Sequence, residues 1–175
     1  MYALGAQTAP MGSCVNSKMM PQTDEGCELT YNMSHAKRGK AIIFNHYKFE
    51  DRNLSKRKGT DNDAKRLTGT LENLKFVVEV KEDLRVGQIR KVLTEAIKED
   101  HSDSDCFLVA VMTHGGRNGC LYDVEGTSYS QEELWKPFLE EDPDTVTPLS
   151  GKPKIFIIQA CRGDEVCTTL NTTFT

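Results

Sequence analysis

Short apolar runs alternate along this chain with amphipathic stretches long enough for helices, and that alternation constrains the fold more than any other feature. Ala41-Ile42-Ile43-Phe44, Phe76-Val77-Val78-Glu79-Val80, Cys106–Met112 and Lys154–Ile158 are short and apolar, most of them rich in β-branched residues, as strands buried on both faces require. Between the first two, Thr60 to Leu74 predicts a helix, with Thr60 and Asp61 as capping residues and Ala64, Leu67 and Leu71 on one face. Val86 to about Glu99 predicts a second, carrying Ile89, Val92, Leu93, Ala96 and Ile97 at three-and-four spacing. A further short helix near Gln131–Trp135 precedes the last strand. Parallel neighbours need a crossover of a dozen or more residues, wound right-handed, and each interval here has that length. The expectation is an α/β fold: a mostly parallel sheet with helices on both faces. Residues 119–129 predict a small hairpin beside it.

Ligands of such sheets bind beyond the carboxyl ends of the strands. Two reactive side chains fall there. The third strand runs into Thr113-His114-Gly115-Gly116, and the last into Gln159-Ala160-Cys161-Arg162-Gly163. A cysteine attacks a carbonyl as its thiolate, and a thiol near its ordinary pKa of about 8.5 is only partly ionised at neutral pH. A neighbouring imidazole supplies the base and later the acid for the leaving amine. Cys161 is therefore the candidate nucleophile and His114 the candidate acid/base. Gly115 permits close backbone approach, so its N–H and that of Cys161 are the candidate oxyanion donors. Taken singly, a cysteine at a strand end is more often core packing, and a His-Gly pair is usually a turn. Their pairing at one sheet edge singles them out.

Four motifs occur in order: Arg38-Gly39-Lys40-Ala41-Ile42-Ile43-Phe44-Asn45, Arg57-Lys58-Gly59-Thr60-Asp61-Asn62-Asp63-Ala64, His114-Gly115, and the pentapeptide Gln159–Gly163. A Gln-Ala-Cys-x-Gly run with a histidine about 50 residues upstream is the local signature of caspases, and between Arg38 and Asp164 the chain resembles the large subunit of a caspase. The resemblance implies a three-layer sandwich, large-subunit part only, and a thiol protease that cleaves proteins after Asp in apoptosis-type proteolysis, made as a zymogen. It maps the pocket for the substrate Asp onto Arg57 and Gln159, and the carbonyl that orients the histidine onto Ser55. A guanidinium binds a carboxylate bidentately, which favours Asp specificity over the basic specificity of metacaspases. Without these companions Arg57 would read as one more solvated charge in a lysine-rich loop.

The resemblance divides the chain into a flexible leader, 1–37, a large-subunit domain, 38–166, and a short tail, 167–175. The leader lacks apolar periodicity, so ordering it would bury too little surface to offset the entropy lost; its shortness favours an effector-like member. No segment matches the family's small subunit. The expected partners are therefore protein substrates with Asp at the cleavage site, and a caspase small subunit or a full-length caspase. The competing expectation is a catalytically silent truncated caspase that binds and regulates a full-length one.

Composition narrows the remaining classes. With 175 residues the chain has the length of one domain, and a net charge of −4 offers no basic surface for nucleic acid. No apolar stretch reaches the roughly 18 residues of a spanning helix, and the N-terminus lacks a signal-peptide pattern, which favours a cytoplasmic protein without membrane contact. The six cysteines fit neither a disulfide framework nor zinc knuckles. Reduced thiols, no metal and no cofactor are expected. His35, His46 and His101 lie in polar surroundings and are expected to be exposed.

Overall fold

A computed structural model describes residues 30–139 and 147–161, with only the backbone of Arg117. The chain order is β1 (Lys37–Asn45), α1 (Thr60–Asn73), β2 (Phe76–Glu82), α2 (Val86–Ile97), β3 (Ser104–Met112), β4 (Cys120–Tyr122), β5 (Ser128–Ser130), α3 (Glu132–Trp135) and β6 (Lys154–Gln159). Short 3-10 turns occupy Arg117–Gly119 and Lys136–Phe138. Four strands pair in the order β2-β1-β3-β6, every pair parallel. The predicted hairpin forms the separate antiparallel pair β4-β5.

Alternation of side chains along the strands sorts the core into two layers. Ile42, Phe44, Phe107, Val109 and Val111 face Ile89, Leu93, Ala96 and Ile97 of α2 and Leu134 of α3. Ala41, Ile43, Cys106, Leu108, Ala110 and Met112 face Ala64 and Leu71 of α1. All nine residues of β3 are buried, which explains its unbroken apolar character. The two helical layers are those the periodicity predicts, and the described residues from Tyr31 onward belong to one compact unit. The strand β6 has β3 as its one partner among the described residues, and its Ile155 and Ile157 are each 40% exposed.

Several local expectations are corrected. The cap of α1 is Gly59 at φ 94°, not Thr60 or Asp61, and no side chain caps the helix. Thr60 is buried, and its hydroxyl turns to Asn45 instead. His46 and His101 are 0% and 2% exposed. Each ring donates from Nε2 to a backbone carbonyl, Leu84 O at 2.9 Å and Ala96 O at 2.7 Å, and so answers polar backbone inside the fold. Only His35 stays partly accessible. Cys106 and Cys161 are free thiols, whereas Cys120 is disulfide-bonded, contrary to the expectation of reduced thiols throughout. The expected leader, except for residues 30–37, and the tail 167–175 lie outside the described residues. No described helix is long and apolar enough to cross a membrane.

Candidate active site

Strand register brings the site together. In the parallel ladder Asn45 pairs with Met112, and Met112 with Gln159, so β1, β3 and β6 end in one row. His114 lies two residues past Met112 and Cys161 two past Gln159. The two residues thus occupy equivalent overshoots on adjacent strands, which stand about 4.8 Å apart. The N–H of Thr113 donates to Gln159 O at 3.1 Å, carrying the pairing one step past the strand. Gly115 then passes so close to the other chain that a Cβ on it would overlap the Cys161 carbonyl oxygen and lie 2.9 Å from Ala160 Cβ.

The histidine is held by the loop between β1 and α1. His114 Nε2 lies 2.7 Å from Ser55 O. A carbonyl only accepts, so Nε2 carries the proton and the neutral ring keeps Nδ1 as its base. The Phe49 ring packs against the imidazole with centroids 4.7 Å apart. This loop is itself tied down: Asp83 Oδ1 accepts from the N–H groups of Tyr47 and Lys48 at 2.7 and 3.0 Å, and Glu50 N–H donates to Val124 O at 2.8 Å.

The two described free thiols differ in kind. Cys106 is buried, its thiol donates to Arg38 O at 3.3 Å, and burial pushes its pKa up. Such a thiol is inert. Cys161 is exposed. A cavity of about 40 Å³ beside it, walled by Ala160, Leu121 and Gln131, has room for little more than a water. A larger depression of about 550 Å³ lies behind the Phe49 loop and includes none of the predicted site residues.

Arg57 is anchored rather than free. Its Nη1 donates to Thr60 Oγ1 at 2.6 Å and to His46 O at 3.1 Å, and the Thr60 hydroxyl donates to Asn45 Oδ1 at 2.6 Å. The end of β1 thereby fixes a guanidinium, whose Nη2 reaches Gln159 Oε1 at 3.4 Å. Burial lowers the Arg57 pKa from its usual value, and the negative charges of a Cys161 thiolate and of Asp63 pull it back up. All the sequence-predicted site residues, Arg57, His114, Gly115, Gln159 and Cys161, sit at this one sheet edge, with Ser55 among them. Asn45, Phe49, Thr60 and Asp63 were missed. Phe49 leaves no signal in the sequence, whereas Thr60 and Asp63 lie within the Arg57–Ala64 motif.

The caspase-domain family model matches residues 38–174. Caspase-1 of Spodoptera frugiperda is 45% identical over 136 residues, 78% of this chain and 44% of its own, and the caspase drICE of Drosophila melanogaster is 43% identical over 136 residues, 78% of this chain and 39% of its own. The chain thus spans less than half the length of these curated relatives. The crystal structure of the Spodoptera frugiperda caspase-1 superposes with a TM-score of 0.70 at 42% identity, covering 83% of this chain and 56% of that one. The structure of pro-sf-caspase-1 gives 0.71 at 38% identity, covering 91% and 58%. Fold, motifs and relatives agree: the chain belongs to the caspase family.

Proposed function

We propose that residues 38–166 form the large-subunit region of a cysteine endopeptidase that cleaves proteins after Asp, with 1–37 as a leader and 167–175 as a tail. The observation that carries this is the matched overshoot of His114 and Cys161 on paired strands, beside an anchored Arg57. His114 Nδ1 takes the proton of the Cys161 thiol, and the thiolate attacks the scissile carbonyl carbon. Charge developing on the carbonyl oxygen is met by the N–H groups of Gly115 and Cys161. The imidazolium returns its proton to the departing amine, leaving an acyl thioester. Water, deprotonated by the same imidazole, hydrolyses that ester and regenerates the thiol. Ser55 O keeps the ring in the required tautomer throughout. Arg57 and Gln159 receive the substrate carboxylate.

In this reading the enzyme acts in the cytoplasm, in apoptosis-type proteolysis, together with a small subunit. Among the described residues β6 pairs only with β3, and such a sheet edge is a template for further pairing; the half-exposed Ile155 and Ile157 leave apolar surface on one face of the same strand, and both features support such a partner. The test is hydrolysis of a fluorogenic peptide ending in Asp by the chain alone and mixed with a separately expressed caspase small subunit, beside Cys161→Ala. Activity in the mixture that disappears in the variant supports the protease. No activity in either, with Cys161→Ala still altering an intact caspase, would instead establish the non-catalytic regulator.

A further inference from the structure

The last residue of β6 and the first turn of α1 are 96 positions apart in the chain, yet their side chains meet: Gln159 Nε2 donates to Asp63 Oδ2 at 3.2 Å. On its other end the same amide accepts from Arg57 Nη2 at 3.4 Å. Resting on the assignment of Arg57 and Gln159 to the acid pocket, we infer that Asp63 is a specificity-determining positioning residue, which sets the direction of the Gln159 amide and so readies one N–H for the substrate carboxylate.

The chemistry of the three groups permits one arrangement. A guanidinium has donors only, and an ionised carboxylate has acceptors only. An amide bridging them must turn its oxygen to Arg57 and its nitrogen to Asp63. The nitrogen carries two protons, and Asp63 occupies one. The second is free for an oxygen of an incoming carboxylate, while Arg57 offers the charge. Without an acceptor at position 63 only the long 3.4 Å contact with Arg57 holds the amide, and rotation can present its oxygen to that carboxylate, a repulsive contact. The chain of contacts is supported from behind, since Arg57 is fixed through Thr60 to Asn45.

Asp63 also brings a negative charge within electrostatic reach of Arg57. A substrate carboxylate must therefore share one described guanidinium with a resident acid. Two substitutions separate these effects. Asp63→Asn keeps an acceptor and removes the charge, whereas Asp63→Ala removes both. A merely structural acid, interacting with the amino end of α1, would be lost equally in both variants.

Activity is measured on the full chain mixed with the small subunit, using paired peptides ending in Asp and in Asn. Asp63→Ala is expected to raise KM for the Asp peptide about 3- to 10-fold, the range of one hydrogen bond, with kcat within about 2-fold and a weakened preference for Asp over Asn. Asp63→Asn is expected to hold KM at or below the unsubstituted value and to keep that preference. A second measurement needs no activity: the side-chain amide protons of Gln159 in the chain alone, identified by their loss in Gln159→Glu. One of them should be shifted and protected from exchange in the unsubstituted chain and in Asp63→Asn, and released in Asp63→Ala. Identical amide spectra in the unsubstituted and Asp63→Ala chains, or equal KM in both, would overturn the inference. A mixture that shows no preference for Asp, with the amide signals behaving as expected, locates the failure in the assignment of Arg57 and removes the specificity role with it.

Discussion

Substituting Gly115 by alanine tests the central geometry, because the crossing of the two strand extensions leaves no room for a methyl group. Gly115 does not adopt a positive φ, so the obstacle is contact and not backbone conformation. The new Cβ would overlap the carbonyl oxygen of Cys161 and meet Ala160 Cβ at 2.9 Å. Carbon atoms prefer about 3.5–4.0 Å, a shortfall of about 0.6–1.1 Å against Ala160 alone. Neither obstacle is the far end of a flexible side chain, so the strand extensions themselves must part. Overpacking of this kind costs about 1–3 kcal/mol, and at about 2–4 °C per kcal/mol for a chain this long the melting temperature should fall by about 2–12 °C. Catalysis should suffer more. A displacement near 1 Å between reacting groups costs on the order of 100-fold, and the Gly115 N–H is one of the two oxyanion donors in the proposed mechanism. The assays are thermal unfolding of the chain alone and kcat/KM of the mixture with a small subunit, each beside the unsubstituted protein. An unchanged melting temperature with kcat/KM within about 3-fold would show that the strand extensions are not packed as described, and the reasoning from register to site would fall.

Further outcomes follow from the buried polar groups. Thr60→Val removes both the donor to Asn45 and the acceptor for Arg57; it should destabilise the chain by about 1–3 kcal/mol in urea titration, and equal unfolding midpoints would show that the Asn45–Thr60–Arg57 chain is not formed. His46 is buried with Nδ1 unpartnered, and burial lowers its pKa. Below about pH 6.5 the unfolded chain takes up a proton that the folded chain refuses, so stability should decline as pH falls through that value, by up to about 1.4 kcal/mol per unit. His46→Gln should flatten that part of the profile in urea titrations between pH 5 and 7.5, and parallel profiles would count against it. Asp105 has the opposite sign. Burial opposes its ionisation, but the His35 N–H, the His35 ring and Arg38 outweigh it and hold the carboxyl below the usual range. Its contribution is present above the unfolded value of about 3.9 and lost as pH falls through the lowered one. Asp105→Asn should therefore be less stable than the unsubstituted chain at pH 7, and the gap should narrow as pH falls below the unfolded value; a gap that does not narrow in acid would contradict the assignment.

What was legible in the sequence is what local pattern encodes. Each sheet strand was visible as an apolar run, and α1 and α2 by periodicity, with ends within a residue or two of those observed except at the start of β1, where the polar Lys37–Lys40 also pairs. His114 and Cys161 were legible because a polar residue directly after a buried strand has nowhere to go but the sheet edge. The errors share a cause, which is that the deciding partner is remote. Thr60 looks like a cap because serine and threonine cap helices, but Asn45, fifteen residues earlier, takes its hydroxyl and Gly59 ends up as the cap. His46 and His101 sit in polar sequence, yet the carbonyls of Leu84 and Ala96 draw them inside. Asp63 is one of two acids in the first turn of α1 until the fold brings Gln159 to it.

The register of β3 against β6 connects core and chemistry. Val109 pairs with Phe156 and Val111 with Ile158, both partners packing toward the α2 layer. Leu108 and Ala110 pair with Ile155 and Ile157 on the other face. Because side chains alternate with a period of two, a slip of one residue would turn Phe156 and Ile158 away from that layer and drive Ile155 and Ile157 into it. The same slip would displace Cys161 from His114 by about 3.3 Å along the strand, and would break the Thr113 N–H bond to Gln159 O. No loop has to align Cys161 with His114. The apolar pattern of two strands does so, since the register that best buries Phe156 and Ile158 is also the one that ends both strands level. The loops then contribute what the sheet cannot: Ser55 and Phe49 orient the imidazole, and Arg57 supplies the charge. Rigidity at the thiol and the histidine is therefore inherited from the hydrophobic core, while the selectivity proposed above would rest on the polar chain from Asn45 through Thr60 and Arg57 to Gln159 and Asp63. Substitutions should separate accordingly, with core changes lowering stability and kcat together and changes at the Gln159–Asp63 end of the polar chain acting on KM.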